Sequence, residues 1–148
     1  MTTETTFAKL PMAVETEFQI LTTLMTYPHS FDDCGGLKPE HFQTDWLRSL
    51  YVEMMHQHSK GPFDVVTLAE KLTGIATLVE LNEISQAHAS LRTFQAHIGK
   101  LVTAFKSRQL LQISGLMSDL AFETNPIQER LDSVNVELAK LEDQEDFG

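Results

Sequence analysis

Cysteine is all but missing from this chain: Cys34 is the only one in 148 residues. An internal disulfide is therefore excluded, and a reducing, cytoplasmic compartment is the expected location. Basic residues are scarce as well, with 11 Lys and Arg against 21 Asp and Glu, a formal net charge of −10. Such a chain repels phosphate backbones unless its cations cluster on one face. The one modest grouping is Lys100, Lys106 and Arg108, of which Lys106–Arg108 reads as a solvated band on a helix. Direct nucleic-acid binding is not expected. No apolar run approaches the roughly 18 to 20 residues that a membrane span needs, and Met1–Leu10 lacks the apolar core of a signal peptide. A phosphate-cradling Gly-x-x-x-x-Gly-Lys-[Ser/Thr] loop is missing too, which removes nucleotide hydrolysis by that route.

The constellations that could carry other chemistry are thin. Cys34-Gly35-Gly36 has no basic or histidine neighbour in sequence to lower a thiol pKa, so it reads as a half-buried or loop cysteine. His56 and His58 stand two apart, which on a helix sends them to different faces, and a metal site shared with His41 is not expected. Asp32-Asp33 reads as a solvated helix end. The expected chain is not an enzyme and carries no cofactor and no metal.

What is present is helical periodicity. Apolar residues recur at steps of three and four throughout, and no stretch keeps the two-residue alternation of a strand. After a polar tail at 1–10, Pro11 precedes a helix over Met12–Thr26, with Val14, Phe18, Leu21, Leu24 and Met25 on one face. Glu15 and Glu17 suit the positive end of its dipole, and Tyr27-Pro28 stops it. A short helical turn at Ser30–Cys34 ends at Gly35-Gly36. Leu37 and Phe42 anchor a tight turn, and Asp45 caps a helix over Trp46–His58 that faces Leu47, Leu50, Tyr51 and Met54 inward. Gly61-Pro62 follows it. Asp64 caps Val65–Leu72. Thr77 and Glu80 form a capping box for a helix to about Ala87, with Leu78, Leu81 and Ile84 as its buried stripe.

Ser90 is placed to cap a long helix of about 32 residues, roughly 48 Å at 1.5 Å per residue. Its proximal half carries Phe94, Ile98, Leu101, Val102 and Phe105; the polar run Lys106–Gln109 interrupts the stripe. A second seam then begins at Leu110, Ile113, Leu116, Met117 and Leu120. A turn at Glu123–Pro126 leads into the last helix, opened by Asn125, Pro126 and Gln128, whose Ile127, Leu131, Val134, Leu138 and Leu141 fall at steps of 4, 3, 4 and 3. So short a turn makes the two helices antiparallel. The expected architecture is all-α: a helical head over 11–105, a protruding hairpin over 106–141, and an acidic tail over 142–148. An apolar seam of that length needs cover, and self-association through the hairpin is the expectation.

Four segments also resemble a known family. Gly61 and Phe63–Leu72 resemble the Gly-x-Pro-[Ile/Phe]-Asp-x-[Ile/Val]-Thr-Leu segment of the N-terminal domain of DnaB-type replicative helicases. Leu47–Met54 is similar to that family's apolar-Arg-x-Ile-Phe helix, Leu37–Phe42 to its Leu-x-Pro-x-Asp-Phe turn, and Pro11–Glu17 to its opening Pro-x-Ser-x-Glu-Ala-Glu. With the terminal hairpin, the resemblance spans about residues 11 to 141. Thr16 stands where the family has alanine, His41 where it has aspartate, and Gly74–Leu81 lacks the usual Gly-Gly-x-x-Tyr-Leu.

The resemblance implies a non-catalytic domain whose hairpins pair between subunits, with six copies forming a trimer-of-dimers collar above a motor ring. It further implies primase or another replisome protein as partner. No motor domain follows in this sequence. The expectation is thus either part of a replicative helicase or a stand-alone phage- or plasmid-type protein that binds one as loader, regulator or inhibitor.

Overall fold

The computed structural model describes residues 13–143. The polar tail, the start of the first helix at Pro11-Met12 and residues 144–148 of the C-terminal tail lie outside them. Every regular element among the described residues is helical, as the apolar spacing requires. They are α1 (Val14–Thr26), α2 (Asp45–His58), α3 (Val65–Lys71), α4 (Leu78–Gln86), α5 (Phe94–Ala121) and α6 (Ile127–Asp143). Two 3-10 turns, Pro28–Asp33 and Pro39–His41, join α1 to α2. The chain divides into two compact units, and the boundary falls inside α5, between Val102 and Thr103.

The first unit is built round fully buried Ile20, Leu21 and Leu24 of α1, Leu50 and Met54 of α2, Leu68 of α3, Leu81 and Ile84 of α4, and Ile98 and Leu101 of α5. The inward face of α2 is Leu47, Leu50, Tyr51 and Met54, as its spacing predicts. The face of α1 differs from expectation. Val14 is exposed, Phe18 and Met25 are half-buried, and Ala13, Glu17 and Ile20 lie inside.

Glu17 is the reason. Its carboxylate is fully buried and accepts the backbone N–H groups of Gln43 at 3.0 Å and Thr44 at 3.1 Å. These donors stand just ahead of α2, where a helix leaves N–H groups without intrahelical acceptors. The residue at the N-cap is Thr44, not Asp45, and Asp45 instead pairs with Arg48 at 3.0 Å on the exposed side.

One corner gathers most of the residues that carry the family resemblance. The Tyr51 hydroxyl donates to the Leu37 carbonyl at 2.9 Å, and its ring stacks on Phe42 with centroids 4.7 Å apart. The Arg48 guanidinium forks onto the Phe42 carbonyl through Nε at 3.0 Å and Nη2 at 2.8 Å. His41, where the family has aspartate, uses Nδ1 to accept the Lys38 N–H at 2.9 Å, so an imidazole nitrogen does what a carboxylate oxygen would. Asp64 caps α3 by accepting the Thr67 N–H at 2.8 Å and the Thr67 hydroxyl at 3.0 Å, which holds its carboxyl below the usual range. Each of these contacts fixes the local course of the chain.

The capping box of α4 forms as read: Glu80 N–H donates to the Thr77 hydroxyl at 3.1 Å, and Thr77 N–H to the Glu80 carboxylate at 2.9 Å. Leu78, however, is exposed at the first helical position, and Leu81 and Ile84 alone bury the stripe. Ser90 does not cap α5. Leu91, Arg92 and Thr93 form a turn, Phe94 N–H closes back on Leu91 at 3.3 Å, and the helix starts at buried Phe94. That leaves α5 with 28 residues instead of about 32.

The second unit pairs the distal part of α5 with α6. Phe122 N–H donates to the Asp119 carbonyl and Glu123 N–H to that of Leu120, each at 3.2 Å, winding down the end of α5. Arg130 of α6 reaches back with Nη1 to the same Leu120 carbonyl at 3.2 Å, tying the two helices together at the turn. Asn125 and Gln128 do not form the expected cap. Gln128 is committed forward to Asp132 at 2.9 Å, and Asn125 leaves its side-chain oxygen buried without a partner. Lys106 and Arg108 are half-buried, not a solvated band, and the Arg108 guanidinium lies 6.0 Å from the Phe105 ring centroid. Helix α6 continues through Asp143.

Candidate functional site

The seam predicted from sequence is only partly a self-contained core. Ile113 is buried, and Leu116, Leu120, Val134, Leu138 and Leu141 are half-buried. Leu110, Met117, Ile127 and Leu131 remain between 50% and 59% exposed. Pairing α5 with α6 therefore leaves about half of each of four large apolar side chains in water.

The geometry concentrates that surface near the turn. Met117, Leu120 and Ala121 from α5 and Ile127, Arg130, Leu131 and Val134 from α6 line one groove of about 160 Å³. A second recess of about 260 Å³ lies further from the turn, where Ile113 and Leu116 are flanked by Gln109, Gln112 and Glu137. Leu110, Leu138 and Leu141 line neither recess. The sequence reading missed two residues. Phe122, in the turn, is 87% exposed, and Val136 is exposed on α6 outside the seam. A periodicity argument sees neither, because one is not in a helix and the other is off the stripe; the available signal was a lone large aromatic in a four-to-five-residue turn.

The other candidates resolve as structure. Cys34 is buried, its thiol donating to the Ser30 carbonyl at 3.6 Å. Burial pushes the thiol from 9.0 up to about 11, with the charges of Asp33 and Asp32 adding to the rise. A rise of about two units leaves roughly 100-fold less thiolate near pH 8. Cys34 should thus react with Ellman's reagent at least about 100-fold more slowly in the folded protein than in urea. Tyr51 is pushed up as well, again chiefly by burial. Because the folded thiol holds its proton where the unfolded one has lost it, stability falls as pH rises from 9.0 towards 11.

His58 stacks on Phe31 with centroids 4.8 Å apart, and His41 holds the Lys38 backbone. Among the described residues no three of His, Cys, Asp and Glu stand close enough to hold a metal ion, and no helix is long and apolar enough to cross a membrane. A polar recess of about 350 Å³ in the first unit is lined by Glu53, His56, Gln57, Lys60, Thr67 and Lys71, a surface of mixed charge.

No curated protein matches the chain. The family model for the DnaB-like helicase N terminal domain matches residues 9–103, well over half of the 148. It covers the corner built on Glu17, Phe42, Arg48 and Tyr51 and the cap at Asp64, and it stops at the residue where the second unit begins, so the hairpin seam lies beyond it. The chain belongs to the DnaB-like helicase N-terminal domain family.

Proposed function

We propose that this helicase-associated domain is a non-catalytic assembly and docking module of a replicative DNA helicase, which pairs with a second copy through its hairpin. In this reading the first unit is the scaffold and the hairpin is the working surface. Pairs so formed assemble further as a trimer of dimers and present a surface to primase or to a helicase-loading protein. The carrying observation is the apolar surface left open by Leu110, Met117, Ile127 and Leu131. Large apolar patches rimmed by polar residues mark association surfaces, and burying half of each of these side chains twice over a two-fold axis supplies a favourable term. The net charge of −10 argues against DNA as the ligand of this surface.

Replacing Leu131 with glutamate tests the reading. Leu131 is half exposed, so the charge stays hydrated in an isolated chain and the fold should hold. Across a closed interface the same carboxylate would be desolvated without a partner, which costs several kcal/mol. Sedimentation at tens of micromolar should show a dimer for the wild type and a monomer with an unchanged helical circular dichroism spectrum for Leu131→Glu. A monomeric wild type sinks the proposal. Binding of the helicase-binding domain of primase to the wild type, measured by calorimetry, tests the docking half separately.

A further inference from the structure

We propose that the polar recess of the first unit, between the end of α2 and α3, binds a small phosphate monoester that also carries hydroxyl groups, the chemistry of a sugar phosphate. The site stands apart from the hairpin and from any pairing through it.

The recess gathers its groups from two elements. Glu53, His56, Gln57 and Lys60 stand at i, i+3, i+4 and i+7, one face of α2 and the turn that follows it. Thr67 and Lys71 of α3 complete the wall. Gly61 leaves the mouth open, since a Cβ there would meet nothing within 4 Å. The volume of about 350 Å³ falls among small-molecule sites, which occupy about 300–1,000 Å³.

The cations are uncommitted. Among the described residues neither Lys60 nor Lys71 has a carboxylate partner. The ordinary use of a base at a helix C-terminus is to serve the last carbonyls, and here those are already taken. Met55 accepts the Ser59 N–H at 3.1 Å and His56 the Ser59 hydroxyl at 2.7 Å. Gln57 accepts the Lys60 N–H at 3.0 Å and His58 the Gly61 N–H at 3.3 Å. An anion entering the recess therefore meets no bare carbonyl. Two ammonium groups against the one carboxylate of Glu53 leave it locally positive, in a chain whose formal charge is −10.

The neutral groups select the rest of the ligand. Gln57 Nε2 is buried without a hydrogen-bond partner. Its terminal torsion is soft, so the amide can turn this donor towards a phosphate oxygen. Thr67 gives its hydroxyl proton to Asp64 at 3.0 Å and keeps only lone pairs for a ligand. Ionised Glu53 also only accepts. Glu53 and Lys60 are about 10 Å apart along the helix axis at 1.5 Å per residue, so the acceptor end and the cationic end are separate. A phosphate with hydroxyls at its far side meets both. A polyanion meets the carboxylate and the net negative field of the chain, which disfavours a nucleic-acid strand as the source of the phosphate.

The test is an NMR titration of the full chain at fixed ionic strength with ribose 5-phosphate, inorganic phosphate and ribose. Ribose 5-phosphate should bind with a Kd of about 1 mM, about 10-fold tighter than inorganic phosphate, and shift the Gln57 side-chain amide; ribose alone should be silent. Lys60→Ala and Lys71→Ala change exposed residues, so the fold should hold, and each should weaken ribose 5-phosphate about 10-fold. Glu53→Gln should tighten inorganic phosphate and narrow the preference for the sugar phosphate to about threefold. A 5′-phosphorylated oligothymidylate of about ten nucleotides should bind no tighter than ribose 5-phosphate. A Gln57 amide that stays put up to about 50 mM ribose 5-phosphate, or lysine variants that bind it as the wild type does, overturns the site. Tighter binding of the oligonucleotide overturns its assignment to a small phosphate monoester.

Discussion

Glu17→Gln should lower the stability of the first unit by about 3 kcal/mol, the loss expected when charge-assisted hydrogen bonds are broken inside a protein. The wild-type carboxylate is fully buried and spends one oxygen on each of two backbone donors, at 3.0 Å and 3.1 Å. Glutamine keeps the shape but turns one oxygen into an amide nitrogen. That nitrogen then faces an N–H group, so one bond is lost and two donors confront each other. A charged hydrogen bond contributes about 1.5–3 kcal/mol, and an abandoned buried donor adds a further penalty. The melting temperature should drop by roughly 10 °C or more. Glu15→Gln is the control, an exposed acid in the same turn of α1, where a change within about 0.5 kcal/mol is expected. Calorimetry on the two variants side by side decides it, and equal melting temperatures would falsify the capping role.

Phe42→Ala should be at least as damaging, by about 4 kcal/mol, since large-to-small changes of buried phenylalanines fall at about 3–5 kcal/mol. Phe42 is fully buried and stacked on Tyr51 at 4.7 Å. Its carbonyl still receives the Arg48 fork in the variant, because the backbone is unchanged. The main effect is thus a cavity beside the Tyr51 ring. Phe42→Leu restores much of the volume and should lose less than half as much. Urea titrations should show a lower midpoint with the slope preserved, as for a change in packing and not in the extent of unfolding. Because Phe42 lies in the first unit, the hairpin pairing proposed above should survive at temperatures where the variant is folded.

The two residues also show where sequence reading stops. Phe42 was legible as an anchor because a lone large apolar group between a proline turn and a helix has few other uses. Asp64 and the Thr77–Glu80 pair were legible because a cap acts over three residues, inside the window that a pattern can see. Glu17 was read only as an acid suited to the dipole of its own helix, and its buried capping role escaped the pattern because its two partners lie 26 and 27 residues away. Ser90 was misread for the opposite reason: a good local cap was present, but buried Phe94 sets where α5 begins. In the hairpin the spacing found the stripe and its partner helix. It could not tell that Ile113 is covered while Leu131 is open, because both occupy equivalent positions in the pattern. Phe122 carried no periodic signal at all.

The reach of Glu17 has a kinetic side. Helices α3 and α4 carry their own N-terminal acceptors three residues away and can begin to form in an otherwise unstructured chain. Helix α2 has no side-chain cap of its own. Its start is completed only when α1 arrives, across a loop of some 26 residues that must first be closed. Closing that loop loses chain entropy before the contact repays it, so the α1–α2 corner belongs to the late, rate-determining part of folding. Substitutions at Glu17 should then slow refolding. The residue that reads as a minor dipole adjustment would set the tempo at which this domain folds.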